Sequence, residues 1–219
     1  MDVMEAMRSR HSVRAYLDRP IEEDKAEILR RAIEKINTVA GLNIQLILNE
    51  PKAFSSKLAH YGSFRGCSNY IAVVAQDGRD EMIGYYGEQL VLLAQQIGLN
   101  TCWVALTYNK KSVPIVCAPG EKLQIVIALG YGETQGTPHK GKPMERLCRV
   151  SGEMPDWFRA GMEAAMLAPT AVNQQKFRFE LDGNTVRAKA QLGPFSKLDL
   201  GIVKYHFELG AGSDNFKWA

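Results

Sequence analysis

One stretch limits the folds open to this chain more than any other. From Asp80 to Ile97, the residues Met82, Ile83, Tyr86, Leu90, Val91, Leu92, Leu93 and Ile97 cover most of a helix's circumference. An ordinary surface helix carries one apolar stripe, whereas a helix apolar on nearly every side has to be surrounded by other elements. Gly98 follows as a left-handed cap, and the flanking segments supply the surroundings. Asn43–Leu48, Tyr70–Val74, Cys102–Leu106 and Leu123–Leu129 are short, β-rich or continuously apolar runs that read as strands.

The remaining segments alternate with these strands. Residues 2–9 read as a short helix. A second helix starts at Ile21-Glu22-Glu23-Asp24 after Arg19-Pro20 and runs to about Asn37, with Ile28, Ala32, Ile33 and Ile36 on one face. Pro51 opens a short helix to about His60. Further on come a hairpin from Arg178 to Ala190, turning at Asp182-Gly183-Asn184, and a helix from about Asp199 to Leu209.

Composition excludes several classes. A formal net charge of +3 on 219 residues is too small to argue for nucleic acid, and the cationic residues are dispersed among acids. The charged start Met1-Asp2-Val3-Met4-Glu5 does not read as a signal peptide, and no apolar run is long enough to span a bilayer, so no membrane association and a cytoplasmic location are expected. Cys67, Cys102, Cys117 and Cys148 and the four histidines show no metal or disulfide spacing. Cys102, inside an apolar strand, reads as a small core residue.

Two segments carry candidate chemistry. Arg10-His11-Ser12-Val13-Arg14 places two guanidiniums, an imidazole and a hydroxyl within five residues. Guanidinium forks match phosphate oxygens and stay charged, so the segment reads as a phosphate cradle; it reads equally as a hydrated basic helix end. Far along the chain stands Ala168-Pro169-Thr170-Ala171-Val172-Asn173-Gln174-Gln175, followed by strand-like Phe177–Leu181. Together, Arg10-His11-Ser12-x-Arg14 and Ala168-Pro169-Thr170-x-x-Asn173-x-Gln175 resemble the two signatures of the nitroreductase family of FMN-dependent oxidoreductases.

That resemblance implies an α+β, nitroreductase-like fold with an antiparallel-rich central sheet flanked by helices. It also implies that Arg10, His11, Ser12 and Arg14 hold the FMN phosphate and one flavin edge, and that Pro169, Thr170, Asn173 and Gln175 pack on the ring. After Leu123–Leu129 the chain reads Gly130-Tyr131-Gly132-Glu133-Thr134-Gln135-Gly136. This is no dinucleotide fingerprint, because Gln135 stands where a third glycine is required and the Pro-containing continuation cannot open a helix. The resemblance instead assigns Lys140 and Lys142 to the phosphate site, against the plain reading of a solvated basic loop. Leu106, Thr107 and Tyr108 replace the family's glycine-containing segment near the flavin.

In the family the two signatures lie on either side of one helix, but here they are widely separated. A shift of 130 residues carries Asn43-x-Gln45 onto Asn173-x-Gln175, and Ile28, Ala32 and Ile36 onto Phe158, Met162 and Met166. The family's members are intertwined dimers with FMN at the interface. The implied organisation is therefore a single-chain pseudo-dimer produced by internal duplication. Residues 1–150 form a first repeat, residues 151–219 a second, truncated one, and together they keep one FMN site. Such a chain is expected to be a monomer, with a homodimer through another face left open.

The implied activity is transfer of hydride from NAD(P)H, a transient co-substrate, through FMN to a planar small-molecule acceptor such as a nitroaromatic or quinone. No side chain stands out as a catalytic acid, and no metal is called for. A flavin-binding protein without turnover, serving as store or sensor, is the alternative, favoured by the altered Leu106–Tyr108 segment. Phe64, Tyr85, Tyr86, Trp103 and Tyr108 are candidates either for core or for a flat acceptor pocket.

Overall fold

The computed structural model describes all residues from Met1 to Ala219. The chain divides into two compact units, Met1–Arg79 with Leu90–Pro138, and Asp80–Gln89 with His139–Ala219.

In the first unit, α1 (Val3–Ser9) begins with a reciprocal cap: Asp2 accepts from the Glu5 backbone N–H, and the Glu5 carboxylate accepts from the Asp2 N–H. Helix α2 (Glu23–Ala40) stops at Gly41. Its buried face is Ala26, Leu29, Ile33, Ile36 and Ala40, whereas Ile28 is exposed. The expected apolar face thus lies one position too early at its N-terminal end, because Leu29 rather than Ile28 continues the series set by Ile33 and Ile36. The sheet has strand order β1-β2-β4-β3, formed by β1 (Asn43–Ile47), β2 (Asn69–Ala75), β3 (Asn100–Val104) and β4 (Lys122–Gly130), with every neighbouring pair antiparallel. β2 lies between β1 and β4 and is buried at every position, which is why it reads as a continuous apolar run rather than an alternating one. The expected helix from Pro51 shrinks to α3 (Lys57–Tyr61), capped by the Ser56 hydroxyl. Residues 51–56 turn instead, because the Glu50 carboxylate binds the N–H groups of Lys52 and Ala53.

Helix α4 (Asp80–Gln96) gives its first ten residues to the second unit and the rest to the first. Of its residues only Glu81 is exposed, as the all-round apolar pattern requires. Its end is a Schellman turn: Leu99 N–H donates to Ala94 O, Gly98 N–H donates to Gln95 O, and Gly98 takes a φ of 80°. In the second unit the sheet order is β5-β6-β7-β8, from β5 (Cys148–Val150), β6 (Phe177–Asp182), β7 (Thr185–Ala190) and β8 (Lys217–Trp218). β6 and β7 form the expected hairpin, while β5 and β8 join its edges in parallel.

Helices α5 (Asp156–Ala165) and α6 (Ser196–Ala211) pack on this sheet around an aromatic cluster of Phe158, Phe177, Phe179, Phe207, Phe216 and Trp218. Deep in this unit, His206 Nε2 lies 2.9 Å from Glu88 Oε1, and His206 Nδ1 lies 3.2 Å from Ala164 O. α6 crosses the first half of α4 at backbone contact. A Cβ on Gly201 would stand 1.9 Å from Glu81 O, and one on Gly84 would stand 2.0 Å from Leu198 O.

Candidate functional site

In the first unit, α1 ends at Arg10 and the chain continues extended. Its backbone is held by three separate neighbours. Val13 N–H donates to Thr101 O, Arg65 N–H to Arg14 O, Tyr16 N–H to Arg65 O, and Glu133 N–H to Ala15 O, all at 2.9–3.0 Å. The approach at Tyr16 needs Gly66, where a Cβ would stand 2.2 Å from Tyr16 O. Val13 and Tyr16 point into the core, so Ser12 and Arg14 face the other way, along the wall of a cleft of about 600 Å³.

His60, Arg65, Thr134 and Thr137 line the same cleft. Arg65 is paired with Glu133 at 2.6 Å. Arg14 is exposed, and its guanidinium takes part in no salt bridge or hydrogen bond within the chain. Arg10 is only 4% exposed and does not line the cleft, and His11 is half-buried. Beneath this wall the Cys102 thiol is pushed up by burial and pulled back by Arg14, Ser12 and Arg10. It is a core group, as its strand position suggests.

In the second unit, the two remaining groups of candidate residues come together. Gln175 is 3% exposed, and both ends of its amide are engaged. Its Oε1 accepts from Lys142 N–H (2.7 Å), and its Nε2 donates to Lys140 O and Asn173 Oδ1 (2.8 Å each). Asn173 Nδ2 also donates to Lys140 O, at 3.0 Å. The Lys142 ammonium donates to Gln174 O and Gln175 O, and Thr170 Oγ1 accepts from Gln175 N–H. Loop 140–142 and the Ala168–Gln175 segment are therefore one hydrogen-bonded block. Lys140 is exposed, and Pro169 is half-buried.

The backbone of this block is left-handed at three non-glycine residues: Val172 (φ 45°), Asn173 (φ 54°) and Gln175 (φ 45°). Asn tolerates this region, but a β-branched residue does so at a cost of about 1–2 kcal/mol. Val172 is also 93% exposed. Strain of this kind persists only where surrounding bonds over-determine the chain.

Sequence reading missed those surrounding bonds. Asp199, in the first turn of α6 and 2% exposed, accepts from Ala171 N–H on Oδ1 (3.0 Å) and from Gln174 Nε2 on Oδ2 (2.7 Å). Burial pushes its carboxyl up to about 6, against the pull of these two donors. In the sequence Asp199 reads as a helix-starting acid, and nothing in its local pattern marks it as buried. Arg65 and the Thr134/Thr137 pair were missed for the same reason, since only the fold brings them to Arg14. Phe64 and Tyr108 pack on Phe54 in the core, at 5.0 and 6.1 Å between ring centres. Leu106 is 72% exposed on the bends that follow β3.

The antiparallel sheet with its flanking helices, the helix buried all round and the two signature segments define a nitroreductase-like fold. A family model described as "Putative TM nitroreductase" matches residues 2–211, and the chain belongs to that family. Among solved structures it is similar to a "putative nitroreductase" of Thermotoga maritima. The two share 26% identity over 98% of this chain and 85% of the other, with a TM-score of 0.69. It shares its fold with a nitroreductase from Desulfovibrio desulfuricans solved in complex with FMN, at 20% identity over 71% of this chain and 98% of the other, TM-score 0.53. A similar likeness holds to a Bacteroides thetaiotaomicron protein titled an NADH dehydrogenase/NAD(P)H nitroreductase, at 19% identity over 66% and 95%, TM-score 0.52. A search of curated proteins finds no match.

No helix is long and apolar enough to cross a membrane. The four cysteines are free.

Proposed function

We propose that the protein is an FMN-dependent oxidoreductase that takes hydride from NAD(P)H and reduces a planar acceptor such as a nitroaromatic or quinone. The observation that carries this reading is Arg14, an exposed guanidinium with no acceptor of its own, on the wall of a cleft that also offers the Ser12, Thr134 and Thr137 hydroxyls. That donor set fits a phosphate, and about 600 Å³ lies within the range of small-molecule sites.

When bound, FMN supplies hydride chemistry that no side chain here possesses. The chain supplies binding and charge. By the family resemblance, Ser12 and Arg14 would hold the phosphate and one flavin edge, and Arg14 near the pyrimidine edge would set positive charge where negative charge develops on the reduced ring. The same resemblance assigns Arg10 and His11 to the same end of the cofactor, although neither lines the cleft. The family resemblance assigns Pro169, Thr170, Asn173 and Gln175 to the ring and Lys140 and Lys142 to the phosphate. Among these, the Gln175 amide and the Lys142 ammonium act by shaping the block, while Lys140 and the Thr170 hydroxyl proton remain available. The pseudo-dimer reading joins this proposal, with one cofactor per chain and the chain acting as a monomer.

Absorbance of protein loaded with FMN and freed of excess, together with its mass in solution, tests the proposal: one flavin per monomeric chain is expected. Arg14→Ala should weaken FMN binding by roughly 10- to 100-fold, the worth of one charge-assisted contact; unchanged affinity overturns the assignment. The exposed, non-glycine turn at Leu106 favours a second reading, a flavin-binding protein without turnover. Anaerobic bleaching of the bound flavin by NADPH separates the two.

A further inference from the structure

We propose that Asp199 is a positioning residue for the flavin-facing segment: its buried carboxylate, by accepting from both Ala171 N–H and Gln174 Nε2–H, holds Thr170–Gln175 in its left-handed form. The inference rests on the flavin reading above and names a residue outside both signatures.

Three observations carry it. First, the segment is strained. Val172, Asn173 and Gln175 all have positive φ, so without external bonds this backbone relaxes toward the common regions. Second, the bonds that oppose relaxation at its front end come from one side chain. Asp199 Oδ1 takes Ala171 N–H at 3.0 Å, and Oδ2 takes Gln174 Nε2 at 2.7 Å. Third, the arrangement requires the carboxylate form. Gln174 Nε2 also donates to Pro194 O at 2.7 Å, which fixes the amide with its nitrogen toward Asp199. Both Asp199 oxygens therefore face donors, and a proton on either one displaces a hydrogen bond.

The charged groups around the cluster come from every neighbouring element. Lys142 donates to Gln174 O, and Lys176 runs beside Gln174 at Gly193. Lys197 on α6 and Asp80 on α4 line the hollow next to Ser196. None of them hydrogen-bonds or ion-pairs with Asp199, so its protonation state answers to burial and to its two donors. Ionised, Asp199 anchors the segment; protonated, it releases Gln174 or Ala171. Segment order and flavin affinity therefore rise together as pH rises through the range in which Asp199 titrates.

The test uses the full chain and Asp199→Asn, which keeps the size but sets an NH₂ against one of the two donors. In flavin-free protein, amide-exchange protection at Ala171 should fall about tenfold between pH 8 and pH 5, and should stay at the low value throughout in Asp199→Asn. With FMN as probe, the ratio of dissociation constants, variant over wild type, should be about tenfold at pH 8 and approach one at pH 5. Titration of the FMN phosphate affects both proteins and cancels in the ratio. A ratio that stays constant with pH, or Ala171 protection unchanged by the substitution, overturns the assignment. Absence of FMN binding by either protein overturns the flavin reading, and the exchange arm then still decides the role of Asp199. Should Asp199→Asn not fold, the pH profile of wild-type Ala171 protection decides it alone.

Discussion

Asn43-x-Gln45 in the first unit and Asn173-x-Gln175 in the second use the same side-chain device on different backbones. In each, the Gln Nε2 donates to the Asn Oδ1 two residues earlier, at 3.0 and 2.8 Å. In each, the Gln amide then pairs with main chain from another segment. Gln45 binds Val116 O and N–H, and Gln175 binds Lys140 O and Lys142 N–H. Each segment also has a carboxylate anchor: Glu121 accepts from Asn43, and Asp199 from Gln174 and Ala171. The backbones differ. Asn43 and Gln45 lie in strand β1, whereas Asn173 and Gln175 are left-handed in a turn. The anchors differ in the same sense, since Glu121 is half-buried and held below the usual carboxylate range by Asn43, while Asp199 is buried and pushed up. Equivalent hydrogen bonds thus serve ordinary sheet structure in one place and sustain a strained turn in the other.

Substitutions at matched positions can break this comparison. The residue 130 positions before Val172 is Leu42, 6% exposed. Leu42→Gly should cost about 4 kcal/mol in urea unfolding, as a core truncation does. Gln175→Ala takes the acceptor from the Lys142 N–H, one of two donors from Lys140 O and the donor from Asn173 Oδ1, and should cost about 3 kcal/mol, against about 1 kcal/mol for the half-buried Gln45→Ala; equal costs would mean that the two segments are not differently loaded.

The anchors should oppose one another in pH. Measured against the unfolded chain, where Asp199 is solvated, its folded value of about 6 gives stability that is present below about pH 4 and lost as pH rises through 6, about 2–3 kcal/mol that Asp199→Asn should abolish; the local hold on Ala171 and Gln174 runs the other way, because with the carboxyl still buried those two donors favour its ionised form. Glu121, whose folded value is lowered, contributes stability present at neutral pH and lost on acidification, so Glu121→Gln should flatten only the acid limb. The smallest effect has the opposite sign to the first: Val172→Gly should raise stability by about 1 kcal/mol through relief of the left-handed Val, measurable as a shift of the urea midpoint.

The layers of this fold were legible because they follow from apolar periodicity. Helix α4 showed itself as apolar all round, β2 as a continuous apolar run, and the β6–β7 hairpin as a turn between alternating segments. The misplaced face of α2 and the missing helix after Pro51 trace to single residues, Leu29 and Glu50, whose roles depend on neighbours that a local window does not contain. At the site, the signature residues were legible as types, but their division of labour was not. Nothing in the spelling of Gln175 or Lys142 says that their polar atoms are spent on main chain, and nothing in Asp199 says that it is buried.

The paired glycines where α6 crosses α4 fix more than a helix distance. Gly201 stands two residues beyond Asp199, so the closeness of the crossing sets how deeply the Asp199 carboxylate is seated beneath Ala171 and Gln174. A single methyl group at Gly84 or Gly201 would act as a shim under α6, lifting the latch that holds a turn elsewhere in the unit. The gauge between these two helices is set by two missing carbon atoms, and the shape of the left-handed turn inherits its tolerance from that gap.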